Sequence, residues 1–213
     1  MARQRRQTEP LETLRGVITE YAEIEKLLSA GEMNGRRWVL DRAVEDRSLL
    51  STPTDHDILD LHRAIFGDFL AWAGATRHEE RGPGGNVPVP SHEVRGALRT
   101  LTLDLGAWVA ALGVINTQAM AAVIADAHHR FQWIHPFHDT NGRTGRVLDH
   151  YLLWVTFDLH DATLETSPSI EYFPTTEHED AYYEGLAEAD NGKPDRLRSF
   201  YLERLVALFD EAT

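Results

Sequence analysis

Apolar residues recur at helical spacing along most of this chain. Ile58, Leu61, Ile65, Phe69 and Trp72 form one stripe, and Val94, Leu98, Leu101, Leu105 and Val109 form another across Glu93 to Leu112. A third stripe, Met120, Val123, Ile124, Ala127, Phe131 and Ile134, predicts a helix from about Thr117. A period near 3.6 buries one helix face, whereas a half-buried strand alternates. Helix resumes after Gly142, with Leu148, Tyr151, Leu152 and Val155 inward. Two closing helices are expected around 177–190 and 194–210, separated by Asn191-Gly192-Lys193-Pro194. Nearer the N-terminus, Leu14, Ile18, Tyr21 and Leu28 suggest a helix from Leu11 that ends near Gly31. Residues 32–50 can form a second, with Trp38 and Leu40 as buried candidates. Ser51-Thr52-Pro53-Thr54-Asp55 reads as a turn and helix start.

The rhythm breaks over residues 74–92. Gly82-Pro83-Gly84-Gly85-Asn86 is a turn signal, followed by the extended Val87-Pro88-Val89-Pro90. The stretch reads as a β-hairpin flap limited by its prolines to an edge, or as a plain surface loop. Residues 160–176 are irregular and carry Pro168 and Pro174. The expected fold is all-α, a helical bundle with one small β-hairpin. Its expected parts are a disordered polar tail at 1–9, a helical extension at 10–54 and the main domain at 55–213.

Composition narrows the classes. With 213 residues, 42% of them hydrophobic, the chain can build a sizeable core. It has no cysteine, so disulfides and thiolate metal sites are excluded. No apolar run approaches the roughly 18–20 residues of a membrane span, and the basic start lacks the apolar segment of a signal peptide. A cytoplasmic protein with no membrane contact is expected. The net charge of −13 repels a nucleic-acid backbone, so no direct nucleic-acid binding is expected. One local basic pocket is still enough for a triphosphate.

The chemistry gathers between the third stripe and the next helix, in Ile134-His135-Pro136-Phe137-His138-Asp139-Thr140-Asn141-Gly142-Arg143-Thr144-Gly145-Arg146. Asn141 and Gly142 stand where a helix begins, so backbone N–H groups there lack intrahelical partners and attract anions. Arg143 and Arg146, three apart in the first turns, can reach toward one ligand. Asp139 can ligate a magnesium ion that also takes phosphate oxygens. His135 can accept a proton from an incoming hydroxyl. His128, His129 and His138 invite a metal-hydrolase reading, but their spacing does not place four ligands on one helix face.

This stretch resembles the motif of the Fic/Doc family, His-x-Phe-x-(Asp or Glu)-Gly-Asn-Gly-Arg-x-x-Arg. It is met by His135, Phe137, Asp139, Asn141, Gly142, Arg143 and Arg146. The resemblance covers roughly residues 55–208, strongly at this loop and loosely elsewhere, and implies a Fic-like helical bundle. The stretch at 82–90 then resembles the family's target-positioning flap, and Tyr182-Tyr183 with Ala189-Asp190-Asn191-Gly192 resembles its closing region.

The resemblance implies a protein adenylyltransferase, with ATP as donor and Mg2+ as cofactor. His135 would deprotonate a Ser, Thr or Tyr hydroxyl of a target protein, and Asp139 would hold magnesium. Thr140, Asn141, Gly142, Arg143 and Arg146 would bind the nucleotide, the arginines on its β- and γ-phosphates. Gly85, Asn86, Val87, Pro88 and Val89 would align the target segment by strand addition. The departure is Thr140, where the family usually has glycine; a β-branched residue resists positive φ, so an ordinary backbone conformation is expected there. Another nucleotide donor, phosphotransfer, or a nucleotide-binding module with weak catalysis are the alternatives. Gly142 and Arg146 favour nucleotidyl transfer over a phosphorylating branch. Many members carry an inhibitory Ser/Thr-x-x-x-Glu-Gly/Asn helix whose glutamate pairs with the second arginine. Ser29-Ala30-Gly31-Glu32 has the wrong spacing for it, and Glu184-Gly185 follows Asp180 in place of Ser or Thr. Inhibition is therefore expected to be absent or supplied by a small antitoxin protein.

Overall fold

The computed structural model describes residues 10–45, 51–82 and 89–210. The N-terminal part departs from its expected helices. Leu11–Thr13 and Gly16–Ile18 are strands β1 and β2, paired antiparallel with Leu11 opposite Ile18. Gly16 turns the chain at φ 124°, and the Thr13 hydroxyl donates to its carbonyl at 2.7 Å. Leu11 is buried in the core, and the Leu14 N–H donates to the Phe69 carbonyl at 2.9 Å. Leu14 and Tyr21, expected to face inward, are 58% and 61% exposed. The turn chemistry around Gly16 has overridden a four-residue coincidence of spacing.

Helix α1 (Tyr21–Glu45) then runs unbroken through Gly31, the expected end, and takes in the start of the expected second helix. The reason is a close crossing with α2 (Asp55–Phe66). A Cβ on Gly31 would stand 2.5 Å from the Ile65 carbonyl oxygen, and one on Gly35 would stand 2.4 Å from Ile65 Cγ1. Bare glycines let the two backbones approach at these turns. Leu40 is buried and Trp38 partly so.

From residue 51 onward the periodicity holds. Thr54 caps α2 in a capping box with Asp57. Then come α3 (Val94–Ala110), α4 (Thr117–Ile134), α5 (Asn141–Tyr151), α6 (Thr176–Asp190) and α7 (Asp195–Asp210). Every apolar residue of the α3 and α4 stripes is buried, whereas Phe69 and Trp72 lie beyond the end of α2. Helix α4 is central, packing on α3, α5 and α7, while α1 covers α2 and α5. Behind the α4–α5 turn, buried Asp149 accepts hydrogen bonds from His128, Tyr172 and Tyr201, each at 2.8 Å. Those bonds tie α4, α5 and α7 into one body.

The all-α expectation with one small hairpin is met, but the described hairpin is at residues 11–18. Gly85, Asn86, Val87 and Pro88 of the expected flap lie outside the described residues, as does the 1–9 tail. Among the described residues no helix is long and apolar enough to cross a membrane.

Candidate active site

Helix α4 stops because His135 adopts the left-handed conformation (φ 50°, ψ 60°) and Pro136 follows. The turn is held from outside by Arg77, which is 2% exposed. Its backbone N–H donates to the Pro136 carbonyl at 2.8 Å, and its guanidinium donates to the His135 carbonyl at 2.7 Å. The same guanidinium reaches the carbonyls of Ile134 (3.3 Å), Glu79 (2.9 Å) and Val89 (2.6 Å). A cation at a helix C-terminus satisfies carbonyls that have no intrahelical donor. Arg77 thereby fastens the segment bearing Val89 to the His135 turn.

The His135 ring is mostly buried, and its Nδ1 has no hydrogen-bond partner. Burial lowers its pKa to about 4, with the Arg77 and Arg81 charges acting in the same direction and the Gln132 backbone and Asp139 opposing more weakly. The imidazole is therefore neutral at neutral pH and can take a proton.

Past His135 the loop is braced internally. The Asn141 side chain accepts the Phe137 N–H and donates to the Phe137 carbonyl, both at 2.9 Å. Its amide is thus committed to the loop, which leaves its backbone N–H for an anion. Phe137 is fully buried and stacks on the His62 ring, centroids 3.7 Å apart. Asp139 is exposed at the rim and accepts the Thr140 N–H at 2.6 Å.

Thr140 corrects an expectation. Its backbone is left-handed (φ 65°, ψ 11°), not ordinary. The cost, on the order of 1 kcal/mol or more, is borne because the surroundings hold the residue. The Thr140 hydroxyl donates to the Asp139 carbonyl at 2.6 Å and lies 3.1 Å from His62 Nε2. Helix α5 begins directly after it. A Cβ on Gly142 would find only Arg146 Nη1, at 3.7 Å, so the space over this helix start is open.

The two arginines converge as expected, but not on empty space. Arg143 pairs with Glu25 at 2.7 Å and Glu32 at 3.3 Å, and Arg146 pairs with Glu32 at 3.1 Å. Seven residues apart, Glu25 and Glu32 stand two turns apart on one face of α1. Arg146 also lies over the rings of Tyr172 and Phe173, 5.9 and 5.7 Å from their centroids. Burial, the largest single effect, opposes its charge, but Glu32 together with Tyr182 and Tyr172 outweighs it and raises its pKa.

The sequence motif places Glu32 off its expected spacing, yet the fold puts its carboxylate on the second arginine. Without the α1–α5 packing, a glutamate on a polar face looks like any solvated one. His62 and Arg77 were equally hidden, although a histidine inside the Ile58–Ile65 stripe and Gly74 at φ 79° lie in the same segment. The tempting histidines separate: His128 bonds to Asp149, His129 to Asp190 and His138 to Glu79. Among the described residues no cluster of three or more His, Asp or Glu can hold a metal. A cation at Asp139 would need ligands from a bound phosphate, which is how magnesium is commonly held. A cleft of about 430 Å³ opens beside Asp139, with Trp72, Glu79, Arg81 and His138 in its walls.

A family model described as the Fic/DOC family matches residues 52–153. The fold is similar to the N-terminal Fic domain of a putative cell filamentation protein, a VirB-translocated Bep effector, from Bartonella quintana. That match has a TM-score of 0.63 and 18% identity, covering 95% of this chain and 93% of that one. BepC, a VirB-translocated effector from Bartonella tribocorum solved with bound AMPPNP, matches at TM-score 0.60 and 16% identity over 93% of each chain. Fic-1 from C. elegans matches at TM-score 0.61 and 22% identity, over 85% of this chain and 50% of that one. No curated protein matches the chain.

Proposed function

From the Fic/DOC family match over residues 52–153 and the Fic-domain fold, we propose that this chain is a member of that family and transfers AMP from ATP to a Ser, Thr or Tyr hydroxyl of a target protein. The observation that carries the reading is one continuous turn. It runs from the neutral imidazole of His135 through the exposed Asp139 to the open N-terminus of α5 and its two arginines. A base, a metal-ligating carboxylate and an anion-binding helix start suit transfer to a hydroxyl, with a polyphosphate as leaving group.

In this mechanism the target hydroxyl gives its proton to His135 as its oxygen bonds to the α-phosphorus. The bond from that phosphorus to the bridging oxygen of the β-phosphate breaks, and pyrophosphate leaves with the electron pair. Backbone N–H groups at Asn141 to Arg143 stabilise charge on the α-phosphate, in the manner of an oxyanion hole. Arg143 and Arg146 bind the outer phosphates. Magnesium, held by Asp139 together with phosphate oxygens, would neutralise part of the polyphosphate charge. The cleft beside Asp139 admits the acceptor segment. BepC, a similar fold solved with bound AMPPNP, lends support to a nucleoside triphosphate as the ligand.

We further propose that the described state is restrained, with Glu25 and Glu32 occupying the groups that the outer phosphates require. Inhibition then lies within the chain, on α1, and a separate small antitoxin is not needed for it. The same pairs favour the second reading, a nucleotide-binding module with weak catalysis. Purified protein is incubated with magnesium, a lysate, and ATP labelled on either the α- or the γ-phosphate. Label from the α-position, lost in His135→Ala, supports AMP transfer. Label from the γ-position alone means phosphotransfer, and nucleotide binding without label supports the module.

A further inference from the structure

Thr140 holds a backbone conformation that β-branched residues avoid, and one buried side chain outside the motif contacts its hydroxyl. That side chain is His62 of α2, which is 0% exposed. Its Nδ1 accepts the Gly74 N–H at 2.8 Å, so the proton of the neutral ring sits on Nε2. Burial lowers the pKa of His62 to about 3, which keeps the ring in that form. Nε2–H therefore donates to the Thr140 hydroxyl (3.1 Å), whose own proton goes to the Asp139 carbonyl (2.6 Å). The hydrogen bonds run in one direction, from Gly74 through His62 and Thr140 to Asp139. Thr140 Oγ1 makes no capping bond to α5; its N-cap duty falls to the carbonyl, which accepts the Thr144 N–H at 3.0 Å.

We propose that His62 is a positioning residue for the transfer reaction, holding Thr140 in the left-handed conformation and so fixing Asp139 and the start of α5. At this position glycine would adopt the turn unaided; threonine adopts it because its hydroxyl is bonded on both sides. This inference rests on the proposed function for its relevance to catalysis, but its structural content is tested without catalysis. The functional dependence is specific: His62 matters to the loop only while residue 140 needs holding.

The test is a double-mutant cycle of His62→Phe with Thr140→Gly, read by amide hydrogen exchange of Phe137 and Thr144 without nucleotide. Phenylalanine keeps the stacking on Phe137 and removes both nitrogens; the loss at Gly74 is common to both backgrounds and cancels. With Thr140 present, His62→Phe is expected to speed exchange about tenfold, the loss of one buried hydrogen bond. In the Thr140→Gly background the same change is expected to act less than about twofold. Equal effects in the two backgrounds overturn the proposal. If His62→Phe does not fold, Thr140→Val and Thr140→Ser decide. Valine lacks the hydroxyl and is expected to speed exchange about tenfold, while serine keeps it and stays within about threefold. Valine and serine behaving alike overturns the proposal. A cycle run on α-phosphate label transfer is expected to show the same coupling in kcat. If no variant transfers label, the proposed function fails while the exchange cycle still decides the role of His62.

Discussion

Removing the Glu32 carboxylate while keeping its volume, as in E32Q, tests whether α1 competes with the outer phosphates of a nucleotide. The carboxylate lies 3.1 Å from Arg146 and 3.3 Å from Arg143, and its side chain is 19% exposed. At an effective dielectric of about 20, one such contact is a gross attraction of about 5 kcal/mol. Desolvation of both charges and the hydrogen bonds that glutamine retains return more than half of this, leaving about 2 kcal/mol. A ligand that must displace the carboxylate should therefore bind about 30-fold more tightly to E32Q than to the wild type. The assay is titration calorimetry with ATP and, as the control, with AMP, which has no outer phosphates. ATP affinity is expected to rise by that factor while AMP affinity changes less than about threefold. Without nucleotide, E32Q should melt lower, since Arg146 loses its main counter-charge. An unchanged ATP affinity, or an equal gain for AMP, refutes the placement of the outer phosphates on these arginines.

Three further outcomes follow from the same geometry. His62, His135 and His150 have pKa values lowered to about 3, 4 and 3 by burial, whereas the unfolded chain takes those protons near 6.5. The unfolded state thus binds more protons, and stability falls as pH drops below about 6.5, by up to about 4 kcal/mol per pH unit. Urea midpoints at pH 7.5 and 5 check this, and a flat profile contradicts it. Gly31→Ala would press a Cβ against the Ile65 carbonyl, so despite better helix propensity it should destabilise by about 1–3 kcal/mol in thermal melts. Arg77→Ala should cost about 2–4 kcal/mol and slow any His135-dependent reaction, because it leaves carbonyls on both sides of the turn without donors; an unchanged melting temperature would count against it.

The helices from α2 onward were legible because each buries one face, and that face recurs at 3.6 residues regardless of what covers it. The turn from His135 to Arg146 was legible because its groups lie close in sequence. What could not be read was interaction across elements. Gly31 reads as a stop until Ile65 is set against it, and Glu25 and Glu32 read as solvated until α1 lies on α5. Thr140 shows the same limit in reverse. Threonine disfavours positive φ, and here that preference yields to the contact with His62, a residue 78 positions away.

The central claim, transfer of AMP through His135, is tested most directly by the mass of a modified target. Protein incubated with ATP and magnesium should add one adenylyl group to a hydroxyl side chain, and His135→Ala should abolish that adduct. A phosphate-sized adduct, or an adenylyl adduct that persists at full rate in His135→Ala, would contradict the account.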